Sequence, residues 1–398
     1  MMRRPRVCLF TSFHPDHGGG PVILRSALEN FDRIDVSWLY LGRSESRSIK
    51  ATRIGSPLFG GPVIADMIRS PLLWAGWRNP EMRSIVRRLL AEQADAYWVI
   101  AMNEGILAGQ DLVHSGAAPV HVSVQDDQAE AICRRSRRYR WMQGLAGRAW
   151  QDLLSRASSV DVISKGMQDY YARVRGISSF VCHPCLAQPV PTSALPSSGD
   201  ELRVGHIGNL YSATEVTAFL NAALQVADRL GRRLKAVFIN DSAIAGRLQR
   251  SSPALAPFME VIGEQPEDTA LEQLSSCHVL YSMYPFEERC RVFRTTSIPI
   301  KLRSYIQARR PVFAHTPADS TLASFVRDNS VGGVCTSLDP HEIAAVLTGI
   351  LTNPPAPENY ELARQREYGR DQMLCLEDTL IRLVAAAPGP PHQARASR

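Results

Sequence analysis

Residues Thr295 to Thr316 read T-T-S-I-P-I-K-L-R-S-Y-I-Q-A-R-R-P-V-F-A-H-T. The pattern predicts a loop, a short helix and a buried strand. Pro299 suits a helix entrance, where a missing N–H costs nothing. Leu302, Tyr305 and Ile306 recur at helical spacing and give one apolar face. Arg309 and Arg310 place positive charge in the last turn, Pro311 stops the helix, and Val312-Phe313-Ala314 is a β-type run. Lys301 falls in the first turn. Free N–H groups and the helix dipole already favour an anion there, and an ammonium completes the site. Almost all other cations are arginine; the lysines are Lys50, Lys165, Lys235 and Lys301. A point charge is thereby singled out at Lys301, against the plainer reading of a solvated surface lysine.

Working outward, Leu202–Ile207 is a strand, Gly208-Asn209-Leu210-Tyr211 a loop, and Glu215–Leu230 a helix. The N-terminus has the same logic. Val7–Phe10 is a continuous apolar run, as in a central parallel strand. The loop T-S-F-H-P-D-H-G-G-G follows from Thr11 to Gly20, then a helix over Pro21–Phe31. Strand, glycine-rich loop and helix make the first unit of a doubly wound sheet, and the loop lets a backbone approach a ligand. The spacing is not G-x-G-x-x-G, so a dinucleotide fingerprint is not supported. Further strands are expected at 34–40, 96–100, 120–124, 160–164, 180–183, 236–239, 258–263 and 278–283, and residues 42–62 as loop. The Pro- and Ser-rich residues 187–200 read as a linker. The domains are then 1–186, 201–370, a C-terminal helix 371–385, and a disordered tail 386–398.

The pattern P-x-K-L-x-x-Y-(x5)-P-V from Pro299 to Val312 resembles the C-terminal nucleotide-sugar motif of GT-B glycosyltransferases. It is similar to family-4-like enzymes and to bacterial enzymes of the xanthan glucuronosyltransferase kind. The resemblance implies an α/β fold of two Rossmann-like doubly wound domains facing a central cleft. It implies metal-independent hexosyl or glycuronosyl transfer from a nucleoside-diphosphate sugar, with no further cofactor. Lys301 would contact the donor diphosphate. Ser304, Tyr305, Gly208, Asn209, Gly263, Tyr284, Thr296 and Arg294 would surround the donor. Gly18, Gly19, Gly20 and Gln125 would line the acceptor side. The chain departs from the family at several points. Gln125 stands where a histidine is expected, Asn209 where an arginine is, and Thr296 and Ser304 where a glutamate pair is. Phosphate neutralisation then rests on Lys301, on backbone N–H groups, or on Arg289, Arg291 and Arg294.

Gln125-Asp126-Asp127 ends the strand Val120–Val124, and ligands in open α/β sheets bind at such ends. A carboxylate there can take a proton from an acceptor hydroxyl. Asp126 is the first choice and Asp127 the second; either could instead cap the next helix. Residues 131–150 place Arg134, Arg135, Arg137, Arg138 and Arg140 among Tyr139 and Trp141, on one helix as the pattern reads. Anionic lipid headgroups, a lipid-linked pyrophosphate or single-stranded nucleic acid would suit such a patch, and so would bulk solvent. Ile64–Trp77 is apolar, as a packed core segment is, and its tryptophans also suit a membrane interface.

At 398 residues two domains are expected. Apolar residues at 45% and charged residues at 21% describe a soluble globular chain. A net charge of +6 suits an anionic substrate or membrane surface and argues little for nucleic acid. No apolar run is long enough to span a bilayer, and the run after the basic start is too short for a signal peptide. The eight cysteines are scattered, so a reduced cytoplasm is expected, extending to the inner face of the membrane. Cys182-His183-Pro184-Cys185 has no second pair and reads as structural, and no Asp-x-Asp motif calls for a metal. The leading expectation is transfer of a sugar to a glycan or lipid-linked acceptor. A non-catalytic GT-B-like binding protein is the alternative, and an epimerase the third.

Overall fold

The computed structural model describes residues 3–16, 19–47, 50–186, 199–239, 244–263 and 265–386. Gly18, most of the expected linker and all but the first residue of the expected tail lie outside these residues. The chain divides into two compact units, Met1–His183 with Asp371–Arg398, and Pro184–Arg370.

The first unit is built on seven strands: β1 (Arg6–Thr11), β2 (Asp35–Leu41), β3 (Ala51–Gly55), β4 (Ala96–Ile100), β5 (Val120–Val124), β6 (Ser159–Val162) and β7 (Phe180–Val181). Their order is β3-β2-β1-β4-β5-β6-β7, and every pair is parallel. β4 and β5 are buried at every residue, which is why they read as unbroken apolar runs. β3 falls inside the stretch expected to be loop. It is an edge strand with only Ile54 buried, so its sequence carries no alternation to find. The helix Arg370–Ala386 belongs to this unit. Its buried Glu377 accepts from the backbone N–H of Asp32 (2.9 Å) and Arg33 (2.7 Å) and pairs with the Arg33 guanidinium.

The second unit has six parallel strands: β8 (Glu201–Ile207), β9 (Arg233–Ile239), β10 (Met259–Ile262), β11 (Val279–Met283), β12 (Val312–His315) and β13 (Gly332–Cys335). Their order is β10-β9-β8-β11-β12-β13. Its core is centred on Phe219, which stacks on Tyr281 at 4.2 Å and packs against Phe313 at 4.9 Å. In both sheets the first strand lies inside, and the chain reverses direction of travel between β1 and β4 and between β8 and β11. Such a switch point opens a crevice beyond the carboxyl ends of the strands, where α/β sheets bind ligands.

Two further expectations are corrected. Residues 131–150 are not one helix: a π-turn over Gln128–Cys133, a break at Ser136 and a 3-10 turn over Arg140–Met142 precede the helix Gln143–Arg156. Asp66 draws Arg138 and Tyr139 to itself, which takes them off the helical line. Residues 287–296 are a 3-10 turn and the helix Arg291–Thr296 rather than a loop.

Candidate functional site

In the second unit the site grows from the switch point between β8 and β11. β8 ends at Ile207 and turns at Gly208, whose φ of +77° only glycine adopts cheaply. The loop leads into the helix Ala213–Arg229. Across the crevice, the helix Lys301–Ala308 lays Leu302, Tyr305 and Ile306 onto the sheet, all fully buried. Tyr305 seals the gap between the two strands: its hydroxyl donates to the Tyr281 carbonyl (2.7 Å) and accepts from the Ile207 N–H (3.4 Å). Tyr305 therefore positions the helix and is closed to a ligand, a correction to the donor-contact role expected of it.

That docking carries Lys301 to the glycine loop. Its ammonium donates to the Asn209 carbonyl (2.7 Å), lies 3.1 Å from His206 Nε2, and stands 5.7 Å from the Tyr211 ring centre. Lys301 is 7% exposed, so it is neither the solvated lysine of the plain reading nor the open helix tip that an anion site needs unaided. His206 fixes its direction. Nδ1 lies 2.8 Å from the Tyr281 carbonyl, and Nε2 lies 3.0 Å from the Gly208 carbonyl and 3.1 Å from the ammonium. An ammonium can only donate, so in the neutral ring Nε2 accepts from Lys301 and Nδ1 donates to Tyr281. Burial, then the Lys301 charge, hold the His206 pKa well below its ordinary value, so the ring stays neutral. Tyr211, Tyr284 and Phe293 form an aromatic wall beside the ammonium, with ring centres 5.0 to 5.8 Å apart.

The other basic candidates are already matched. Arg294 pairs with Asp319 (2.8 Å) and Glu288 (3.2 Å), Arg291 with Glu288, and Arg289 with Glu287. Arg294 is thus a strut of the 287–296 segment rather than a phosphate contact, which corrects the sequence expectation. Thr296 is buried and its hydroxyl donates to the Val292 carbonyl (2.6 Å), inside its own helix. Ser304 is half-buried, and Gly263 is exposed just past β10 with open space around it. Three buried polar atoms near the carboxyl ends of the strands lack a hydrogen-bond partner: Ser282 Oγ, Thr316 Oγ1 and Glu215 Oε2. Native proteins keep few such atoms, and they cluster where a ligand or water completes them. His206, Glu215 and Thr316 were missed in the sequence. A polar residue on a strand that otherwise reads as an apolar run was the only signal for His206.

In the first unit the structure brings Gly20 and Gln125 together. A Cβ on Gly20 would fall 2.8 Å from Gln125 Oε1 and 3.1 Å from Phe13 Cζ, so the glycine is there to let them pack. Gly19 opens the helix Gly19–Asn30. Asp127 is fully buried and caps the next turn, accepting from the Glu130 N–H (2.6 Å) and the Tyr171 hydroxyl (3.0 Å), with Arg175 at 3.5 Å. Burial raises its pKa against the pull of Arg175. Asp127 is therefore a cap and not an open base, a correction with a stated cause. Asp126 is half-buried at the end of β5. Of the basic patch, Arg134 pairs with Glu130 (2.9 Å) and Arg138 with Asp66 (2.8 Å), Arg135 is half-buried, and Arg137, Arg140 and Trp141 are exposed.

The helix Glu104–Ser115, which follows β4, opens on a second buried acid. Glu104 follows Asn103, which has a left-handed φ of +46°. Glu104 Oε1 accepts from the N–H groups of Leu58 and Phe59, while Oε2 is buried without a partner. Burial pushes its pKa up to about 7, with the backbone N–H groups and Arg69 pulling the other way. The folded state then binds the proton more tightly than the unfolded chain. Stability is fully present below the unfolded carboxyl value of about 4.5 and is lost as pH rises toward 7. Glu104→Gln keeps the acceptor and removes the charge. It should be more stable than the parent at pH 8 by on the order of 2 kcal/mol, and the gap should close near pH 5. Denaturant melts at the two pH values check this; a gap independent of pH would show that Glu104 does not titrate in this range.

No family model and no curated protein matches the sequence. Solved structures do match. TarM aligns over 96% of this chain and 98% of its own, with a TM-score of 0.67 and 10% identity. An alpha,alpha-trehalose 6-phosphate synthase from Burkholderia multivorans aligns over 97% and 100%, with a TM-score of 0.65 and 12% identity. WaaG, a glycosyltransferase involved in lipopolysaccharide biosynthesis, aligns over 96% and 100%, with a TM-score of 0.60 and 13% identity. The chain has the GT-B fold, two Rossmann-like α/β units in one polypeptide.

Proposed function

We propose that the protein transfers a sugar from a nucleoside-diphosphate donor to a hydroxyl of a glycan or lipid-linked acceptor. One observation carries the reading: a buried ammonium, aimed by a neutral histidine, at the glycine turn of the second sheet's switch point. A diphosphate carries dense negative charge, and a fixed cation beside backbone amides stabilises it most when it departs. Arg289, Arg291 and Arg294 are each matched by a carboxylate, and of these four candidates Lys301 is the one held at the glycine turn. The half-buried Tyr211 ring suits the donor's apolar surfaces. Tyr284, fully buried behind it, backs that ring and is closed to the donor, a correction to the donor-contact role expected of it. Asp126 takes the acceptor proton as the hydroxyl attacks the sugar. The scheme needs no metal, since Lys301 supplies the positive charge at the leaving group. TarM, a structural neighbour, has been solved with UDP bound.

A panel of nucleotide sugars tests the proposal by thermal shift. A ligand that binds only the native state must raise the melting temperature. At least one donor is expected to do so with the parent chain and not with Lys301→Ala. The absence of any shift at millimolar ligand would favour a second reading, glycan or partner binding without transfer. The glutamine at 125 and the withdrawal of Asp127 into a cap are the observations behind that reading.

A further inference from the structure

The helix Val63–Trp74 wears its apolar side outward. Ile64, Met67, Ile68 and Leu72 follow helical spacing on one face, and Ile64 and Ile68 are 78% and 63% exposed. The inward face holds Asp66 and Ser70, both fully buried, beside Leu73 and Trp74. An ordinary surface helix does the reverse. The rotation is locked. Asp66 accepts from the Ser70 hydroxyl (2.7 Å), the Gly60 N–H (3.1 Å), the Tyr139 hydroxyl (2.9 Å) and the Arg138 guanidinium (2.8 Å). Burial alone would raise the Asp66 pKa, yet these partners hold it below the ordinary value. Turning the helix to hide its isoleucines would strand that carboxylate. An exposed stripe of this size calls for a cover.

The surroundings indicate what covers it. Trp77, just past the helix, is 49% exposed, and its backbone N–H donates to the Leu72 carbonyl (2.9 Å). The turn that supplies Arg138 and Tyr139 also presents Arg137, Arg140 and the exposed Trp141. Between Gly60 and Arg78, and between Arg134 and Trp141, the only carboxylate is the buried Asp66. Apolar side chains, interfacial tryptophans and arginines without exposed acids match the layers of an anionic bilayer from acyl chain to headgroup. A second copy docked face to face would set arginine against arginine. Twelve residues span roughly 18 Å, too short to cross a bilayer, so the helix lies in its plane.

We propose that the helix Val63–Trp74, with the Arg137–Trp141 turn, seats the first unit on an anionic lipid surface. The proposal stands apart from the donor reading and is tested without any sugar nucleotide. The full chain is sedimented with vesicles of phosphatidylcholine, alone or mixed with phosphatidylglycerol. The parent is expected to pellet with the mixed vesicles, less with the neutral ones, and less at high salt. The doubly substituted Ile64→Glu, Ile68→Glu chain alters solvent-facing positions only and should melt like the parent. Its vesicle partitioning should fall by on the order of tenfold or more. The Arg137→Glu, Arg140→Glu pair should lose the preference for anionic vesicles. A parent chain that stays in the supernatant with every vesicle overturns the proposal, as does an isoleucine variant that binds like the parent. Light scattering that shows a parent dimer and a monomeric isoleucine variant would assign the face to self-association instead.

Discussion

Lys301→Ala should lower the turnover of sugar transfer by on the order of 10²- to 10³-fold while the chain stays folded. The size follows from where the charge acts. A preorganised cation in a site shielded from water stabilises developing charge without reorganising, and removing one such group costs about 3–4 kcal/mol of barrier. The loss should fall mainly on kcat, because the diphosphate is most negative as it leaves. Stability changes are expected to be smaller, about 1–3 kcal/mol, since the Asn209 carbonyl and His206 Nε2 lose a donor. Lys301→Arg should rescue poorly. A planar fork cannot place one donor at 2.7 Å from Asn209 and another at 3.1 Å from His206 through the same narrow gap. The variant also relieves His206 of the neighbouring charge, so its pKa should climb back toward 6.5 from below. While the histidine is held neutral, stability is full above its unfolded value and is lost as pH falls below about 6.5. Lys301→Ala should therefore soften the acid limb of the stability profile. Initial rates across donor concentrations, with melts at pH 5 and 8, check all three parts. Undiminished kcat would remove Lys301 from the chemistry.

Much of the fold was legible because parallel strands buried on both faces spell themselves as apolar runs. β4 and β5 fall on the residues the pattern marked, and so does the glycine turn after β8, whereas Gly19 and Gly20, expected in the loop after β1, already belong to the helix Gly19–Asn30. What stayed hidden depended on distant partners. β3 pairs at a sheet edge, so its sequence is under little apolar constraint. The arginine-rich stretch breaks because Asp66, some 70 positions earlier, captures two of its side chains. Arg294 reads as a free cation until the fold brings Asp319 to it. The same residue type can also change role with depth. Lys301 is basic at a helix start in the sequence, and in the fold it is a buried group whose aim depends on His206, 95 residues away. Nothing local to Lys301 announces that histidine. The outward stripe of Val63–Trp74 shows the limit of periodicity, which finds an apolar face but not the side on which it lies.

Gly332→Ala should unfold the second unit preferentially and cost on the order of 3 kcal/mol or more. Gly332 pairs with Val312 where β13 joins β12. A Cβ there would sit 1.9 Å from the Val312 carbonyl oxygen and 2.6 Å from its nitrogen. Both are backbone atoms of the ladder that joins the edge strand β13 to β12, so no side chain can swing away to make room. The sheet must open instead, which forfeits hydrogen bonds and strains the strand. The damage should not stop at the edge. β12 carries Phe313, packed on Phe219, and leads to His315 and Thr316 at the carboxyl end of the sheet. Moving β12 therefore disturbs the same rim that holds the orphaned polar atoms of the candidate site. Gly263→Ala is the control, since its added methyl meets open space and should leave stability nearly unchanged. Hydrogen exchange on the full chain would separate the outcomes. Protection should collapse across β8 to β13 and persist in β1, β4 and β5, because each unit has its own sheet and core. Uniform loss in both units would mean that they unfold as one cooperative body. Unchanged protection would mean that β13 can pair with β12 at a spacing this geometry does not allow.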